Sequence, residues 1–226
     1  RIWLDVQGHD DKGVNQAELD YIEAGGGLGH TAAKVKFSWA SVRALISQRQ
    51  ILGASIGQFA SNSTLVFFLT WFPTYLATER HMNLKQIGYF AWLPFLAADL
   101  GSMFGGVLSP FFINKMKMSV MTARKCSAAV SALLMVFAVF IGRAPSPEWA
   151  IFFFCIGTFA HQSMSATLMT LPADLFPKST VATANGLTGT IAVLGGMIFT
   201  TIVGRVAQSI GYGPLFTVIA FLDIIG

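Results

Sequence analysis

Charge is scarce in this chain. Asp, Glu, Lys and Arg make up 12% of its 226 residues, against roughly 25% in an ordinary soluble domain. The scarcity is concentrated in runs. No charged side chain occurs from Leu52 to Thr78, from Cys126 to Gly142 or from Ser179 to Gly204. Asp99 stands alone between Gln86 and Asn114, and His161 alone between Trp149 and Ala173. Cysteine is scarce too. Cys126 and Cys155 lack metal-ligand spacing and make no disulfide framework, so they read as small buried hydrophobes. There is no Gly-rich phosphate loop, no His-Glu-x-x-His, no Gly-x-Ser-x-Gly and no pair of intramembrane carboxylates. These absences speak against an enzyme or an ATPase, and no metal or cofactor is expected. The apolar runs also lack Lys and Arg; if the cargo is an anion, its cationic ligand lies elsewhere.

What is present is apolar. Hydrophobic residues are 54% of the chain and the mean hydropathy is +0.60. A run of roughly 20 apolar residues matches the ~30 Å hydrocarbon core of a bilayer. One such run could be a buried helix of a soluble protein, but five in succession, at 51–77, 87–113, 122–142, 149–171 and 180–204, predict an all-α polytopic membrane protein. A sixth run, 214–226, is incomplete; at ~1.5 Å per residue it is about two-thirds of a span. A chain cut inside a helix, with more sequence on both sides, is the expectation. The net charge of +4 fits basic loops on the cytoplasmic side of the inner membrane and gives no reason to invoke nucleic acid.

The loops orient the spans. One side holds Lys115, Lys117, Arg124, Lys125, Lys178, Lys34, Lys36, Arg43 and Arg49; the other holds Arg80, Lys85, Arg143 and Arg205. The richer side is expected to be cytoplasmic, with residues 1–50 as a cytoplasmic segment and 51–226 as the transmembrane bundle. In that segment Asn15 to Glu18 has the spacing of a capping box. Leu19 and Ile22 share a helix face, and Gly25-Gly26-Gly27 ends it. Phe37 to Ile51 places Trp39, Val42, Leu45 and Ile46 on one face, the pattern of an interfacial helix or a plain linker.

Polar residues inside spans are costly and mark function or helix locking. Asp99 is read either as a proton-titrating or coupling site or as a hydrogen-bonded lock between helices. His161, with Thr158, Gln162 and Ser165, forms a patch on the fourth span. It would bind substrate or relay protons, or be a neutral histidine satisfied by Gln or Ser of a neighbouring helix. Gln58 and Asn62, one turn apart, Ser61 and Thr70 give the first span its own polar face, with Trp71 and Tyr75 beyond. Those aromatics line a cavity or form an interfacial belt. Gly101-x-x-x-Gly105-Gly106 and the glycines at 186, 189, 195 and 196 give the second and fifth spans small-residue faces for close helix approach.

Longer motifs carry a resemblance. Phe68-Leu-Thr-Trp-Phe-Pro-Thr-Tyr-Leu76, Ala91-Trp-Leu-Pro-Phe-Leu-Ala-Ala-Asp-Leu-Gly101, Gly105-Gly-Val-Leu-Ser109 and Ala123-Arg-Lys125 resemble the second half of a major facilitator superfamily transporter of the anion:cation symporter family. Ala160-His-Gln-Ser-Met-Ser-Ala166 and Asp174-Leu-Phe-Pro-Lys178 are similar to its hexuronate-transporter branch. Pro110 departs from the acid usual after Gly-Gly-x-x-Ser. The resemblance implies a C-terminal six-helix half, with helix twelve cut short and an N-terminal partner half missing. It implies proton-coupled uptake of a hexuronate, aldonate or aldarate by alternating access, with Gln58, Asn62, His161, Gln162 and Ser165 contacting the substrate. A carrier of an aromatic or sulfonated acid, or a membrane ligand sensor, is the alternative.

The orientation has a direct test. In intact cells an impermeant thiol reagent should label Asn83→Cys and leave Met116→Cys unlabelled; the reverse pattern overturns the assignment.

Overall fold

The computed structural model describes residues 15–24 and 39–225, and the regular structure there is helical. In chain order the helices are α1 (Gln16–Ala24), α2 (Trp39–Ile46), α3 (Arg49–Thr78), α4 (Leu84–Phe90) and α5 (Trp92–Met116). Then come α6 (Val120–Met135), continued by a 3-10 segment (Val136–Phe140), α7 (Pro147–Leu175), α8 (Lys178–Ile210) and α9 (Gly213–Ile225). Five stretches are long and apolar enough to cross a membrane: α3, α4–α5, α6 with its 3-10 extension, α7, and Thr180–Ile210 of α8. α9 is a shorter apolar helix.

α1 runs from Gln16 to Ala24. The side chains of Glu18, Leu19 and Ile22, and the glycines that follow, lie outside the described residues. α1 belongs to a compact unit distinct from the bundle, which starts at Arg43. At the bundle's entry Leu45 and Ile51 are buried with Phe176 and Ala184. Ile46 is exposed, so the face expected to carry both Leu45 and Ile46 is split.

Helix ends follow local chemistry. Asn83 Oδ1 accepts from the Gln86 N–H at 2.9 Å while Gln86 Oε1 accepts from the Asn83 N–H at 3.0 Å, a reciprocal cap that starts α4. The second span breaks at Ala91, just ahead of Pro94. Proline has no N–H to give the carbonyl four residues back, and a helix that hydropathy alone reads as continuous divides there. Ser119 caps α6 by accepting from the Thr122 N–H. Pro147 opens α7 at a position where its missing N–H costs nothing. Gly211, at φ +74°, stops α8.

α3 and α7 are the central helices. Each is 56% buried over its apolar window, against 17% for α4–α5. α3 packs on α7, α8 and α9; α7 packs on α3, α5 and α6. The two largest interfaces are α5 with α7 and α3 with α8. The five spans and α9 therefore read as two three-helix repeats of opposite direction, in which the first helix of each lies against the second of the other, an arrangement found in transporters. Between α3, α7 and α9 sits an aromatic core. Phe72 stacks on Phe154, and Phe67 and Tyr75 meet Phe216 edge-on at 5.2 and 5.0 Å.

Glycine permits both large interfaces. A Cβ at Gly101 or Gly105 would collide with the backbone of Phe159 or Ser163 on α7. A Cβ at Gly195 would lie 2.7 Å from the Phe59 carbonyl oxygen on α3. Gly106, Gly186 and Gly189 face open space. Thus only part of the small-residue pattern is a packing face. Gly105→Ala should force α5 from α7 at a cost of about 1–3 kcal/mol, while Gly106→Ala is neutral or mildly stabilising. Melting temperatures of the two purified variants check this, and equal values would refute the contact.

Candidate functional site

A cavity of about 260 Å³ lies between α3, α5 and α7. That is just under the roughly 300–1,000 Å³ of small-molecule sites. Phe68, Phe72, Phe95 and Phe154 wall it, and its polar groups are Asp99, Thr158, His161 and Gln162. The patterning behind this is simple. α7 is apolar on most faces, and its polar residues at 158, 161 and 162 fall on consecutive turns. They face α3 and α5, which supply aromatic and small residues to the same space.

Each polar group stands differently. Thr158 Oγ1 lies 3.1 Å from the Pro94 carbonyl and 3.0 Å from the Cys155 carbonyl, so its single hydrogen is shared within the protein. Gln162 is half-buried. Asp99 is exposed and makes no hydrogen bond or ion pair among the described residues. His161 is buried, edge-on to Phe68 at 6.2 Å. Its Nδ1 lies 3.2 Å from both carboxylate oxygens of Asp223 on α9. The two side chains are 2% and 1% exposed.

Asp223 is thus the partner of His161, where a neighbouring Gln or Ser is the satisfying group expected from sequence. The sequence carried the signal: Asp223 is a lone acid in an apolar run, as Asp99 is. A buried carboxylate needs a partner, and His161 supplies it.

The remaining candidates are spread along the helices. Gln58 and Asn62 are half-buried on α3, ahead of Leu65, the first cavity residue of that helix. Asn62 Nδ2 donates to the Ala192 carbonyl of α8 at 2.8 Å and packs over Gly196, so part of its amide ties helices together. Ser165 is half-buried one turn past His161 and outside the cavity lining. Tyr75 belongs to neither a cavity face nor an exposed belt: it is fully buried. Its hydroxyl donates to the Ile141 carbonyl at 2.9 Å and accepts from Arg80 Nε at 2.6 Å. Trp71 is partly buried against Tyr212.

Of the basic residues near the α5–α6 loop, Lys115, Lys117 and Lys125 are exposed. Arg124 donates through Nε to Asp174 at 2.9 Å, joining the start of α6 to the end of α7. Within the bundle α6 and α7 are also linked by hydroxyl pairs, Ser131 with Ser163 at 2.7 Å and Ser127 with Thr167 at 3.2 Å. These are invisible to a search for charge. At the opposite end Glu79 accepts from the Tyr212 N–H at 2.6 Å. Burial, then the Glu79 charge, push the Tyr212 phenol above its ordinary range. Cys126 and Cys155 are free and half-buried. Among the described residues no cluster of His, Cys, Asp or Glu is arranged to hold a metal.

The chain resembles known proteins along its length. Residues 2–200 match the profile of the Major Facilitator Superfamily. A hexuronate transporter of Escherichia coli (strain K12) is 38% identical over 226 residues, covering 99% of this chain and 52% of the relative. A probable galactarate/D-glucarate transporter of the same strain is 30% identical, covering 100% of this chain and 54% of that protein. A D-galactonate transporter of Escherichia coli O6:H1 is 32% identical, covering 95% and 51%. The chain spans about half the length of the curated relatives it matches.

The His161–Asp223 pair should show in stability. His161→Phe leaves the Asp223 carboxylate buried without its partner, at a cost of roughly 3–5 kcal/mol. Thermal unfolding in detergent measures it, and a wild-type melting temperature would mean that the pair is not a buried, matched one.

Proposed function

Because the chain belongs to the major facilitator superfamily, we propose that it forms the C-terminal half of a secondary active transporter in the inner membrane. Its cargo is a sugar-acid-like organic anion, a hexuronate, aldonate or aldarate, carried by alternating access. Uptake is coupled to protons, and the first half of the same protein is the partner. The observation that carries the reading is the cavity between α3, α5 and α7, which combines aromatic walls with His161, Gln162 and Asp99. Faces and edges of aromatic rings suit the C–H faces of a sugar, and amide and imidazole groups suit its hydroxyls and carboxylate. The names of the relatives, hexuronate, galactarate/D-glucarate and D-galactonate transporters, support the chemical class.

Within this reading His161 and Gln162 contact the substrate directly. Gln58, Asn62 and Ser165 join them on the stretches of α3 and α7 beyond the cavity, where the first half would complete the binding site. Asp99 has no protein partner among the described residues and lines the cavity. That supports a coupling role over a helix lock. No lysine or arginine lines the cavity, so the cation that balances the substrate's charge comes from the first half.

The test is uptake by the full-length protein in proteoliposomes, with glucuronate, galacturonate, galactarate and galactonate offered in turn. Uptake of at least one, driven by an inward proton gradient, is expected. At equal amounts of folded protein Gln162→Ala should reduce uptake by about ten-fold, as loss of a substrate hydrogen bond does. Cys155→Ala should stay within about two-fold. Asp99→Asn should keep substrate exchange and lose uphill uptake, since the amide resembles the protonated acid. Absence of uptake for all four acids, with transport of an aromatic or sulfonated acid instead, would replace the substrate assignment.

A further inference from the structure

Asp223 is buried on α9 outside the cavity lining, and His161 is its hydrogen-bonding partner. We propose that Asp223 is a positioning residue for substrate binding: it holds a hydrogen on His161 Nδ1, which leaves Nε2 as the ring nitrogen available to a substrate in the cavity. The inference rests on the transporter reading above for its substrate, and on the geometry of the pair for everything else.

The geometry leaves few choices. Nδ1 is equidistant from both carboxylate oxygens. A lone pair on Nδ1 facing an ionised carboxylate would be repelled, so Nδ1 carries the hydrogen when Asp223 is ionised. Nε2 makes no hydrogen bond among the described residues, and the ring lines the cavity. Two protonation levels follow. Without a second proton the pair carries one buried negative charge, which opposes an incoming anion. With it the pair is a neutral ion pair, and Nε2–H donates to the anion. The groups facing His161 are few. α9 supplies Asp223, α5 supplies Asp99 across the cavity, and α3 supplies the uncharged Phe68 ring. On its own helix Gln162 and Thr158 do not titrate, and Cys155 lies outside the cavity lining. α6 meets α7 there through Ser131 and Ser163. α8 lies chiefly against α3.

The test separates this from a packing role and from the substrate assignment. In the full-length protein, labelled with ¹⁵N-histidine and without substrate, the imidazole signal that vanishes in His161→Gln should report a protonated Nδ1. In Asp223→Asn that signal should move toward a mixture of tautomers. This arm needs no cargo and decides the Asp223–His161 link even if no sugar acid is carried. In uptake assays Asp223→Asn should raise KM by about ten-fold with kcat within about two-fold, the loss expected for a weakened charge-assisted hydrogen bond. In the background of His161→Gln the change Asp223→Asn should add nothing to KM. An unchanged ¹⁵N signal, or an unchanged KM with only a lower melting temperature, would overturn the proposal and leave Asp223 a packing residue.

Discussion

Helices in a bilayer must find a reason to touch. Lipid tails are as apolar as leucine, so burying one apolar side chain against another gains little over leaving it in lipid. What remains is contact at short range, and here it is set by glycine. α5 lies on α7 at Gly101 and Gly105, and α8 lies on α3 at Gly195 and Gly196. These close approaches place backbone against backbone or side chain without a Cβ between. They join the two three-helix repeats by exchanging partners, and so define where α3, α5 and α7 leave a space. The aromatic core of Phe67, Phe72, Phe154 and Phe216 then fills the volume behind that space.

Many buried polar groups inside this bundle are paired, while Ser55, Trp71, Ser109 and Thr200 each bury a polar atom without a protein partner among the described residues. Ser63, Thr64 and Thr188 return their hydroxyls to carbonyls one turn back. Ser131 and Ser163 pair across helices. His161 pairs with Asp223, so the buried carboxylate has a hydrogen-bond partner. Asp99 is the contrasting case, a carboxylate deep in the sequence of its span but exposed at the cavity. An ionisable group left open at the edge of a cavity is where a mobile ion or a substrate makes a difference, and a group sealed inside is where orientation is held.

Much of this was legible in the residues. The five spans and their order come from local hydropathy, which depends on neighbours a few residues apart. So does the family, through motifs that run along single helices. The gathering of Asp99, His161 and Gln162 around one space was a matter of helix placement, and Gln58 and Asn62 show the limit. They share a face of α3, yet neither lines the cavity, and Asn62 spends an N–H on the Ala192 carbonyl of α8.

The sequence by itself determined that this is an all-helical membrane protein of the major facilitator superfamily, because apolar run length and family motifs are properties of the linear chain. Only the tertiary structure decided which polar residues are partners. Asp223 lies 62 positions from His161, and the two meet only because α9 packs behind α3 and α6. Tyr75 reads as an interfacial aromatic until Ile141 and Arg80 are brought to its hydroxyl from two other segments. Periodicity tells which face of a helix a residue occupies; what that face meets is set by the packing of the other helices, and in lipid that packing turns on a few glycines.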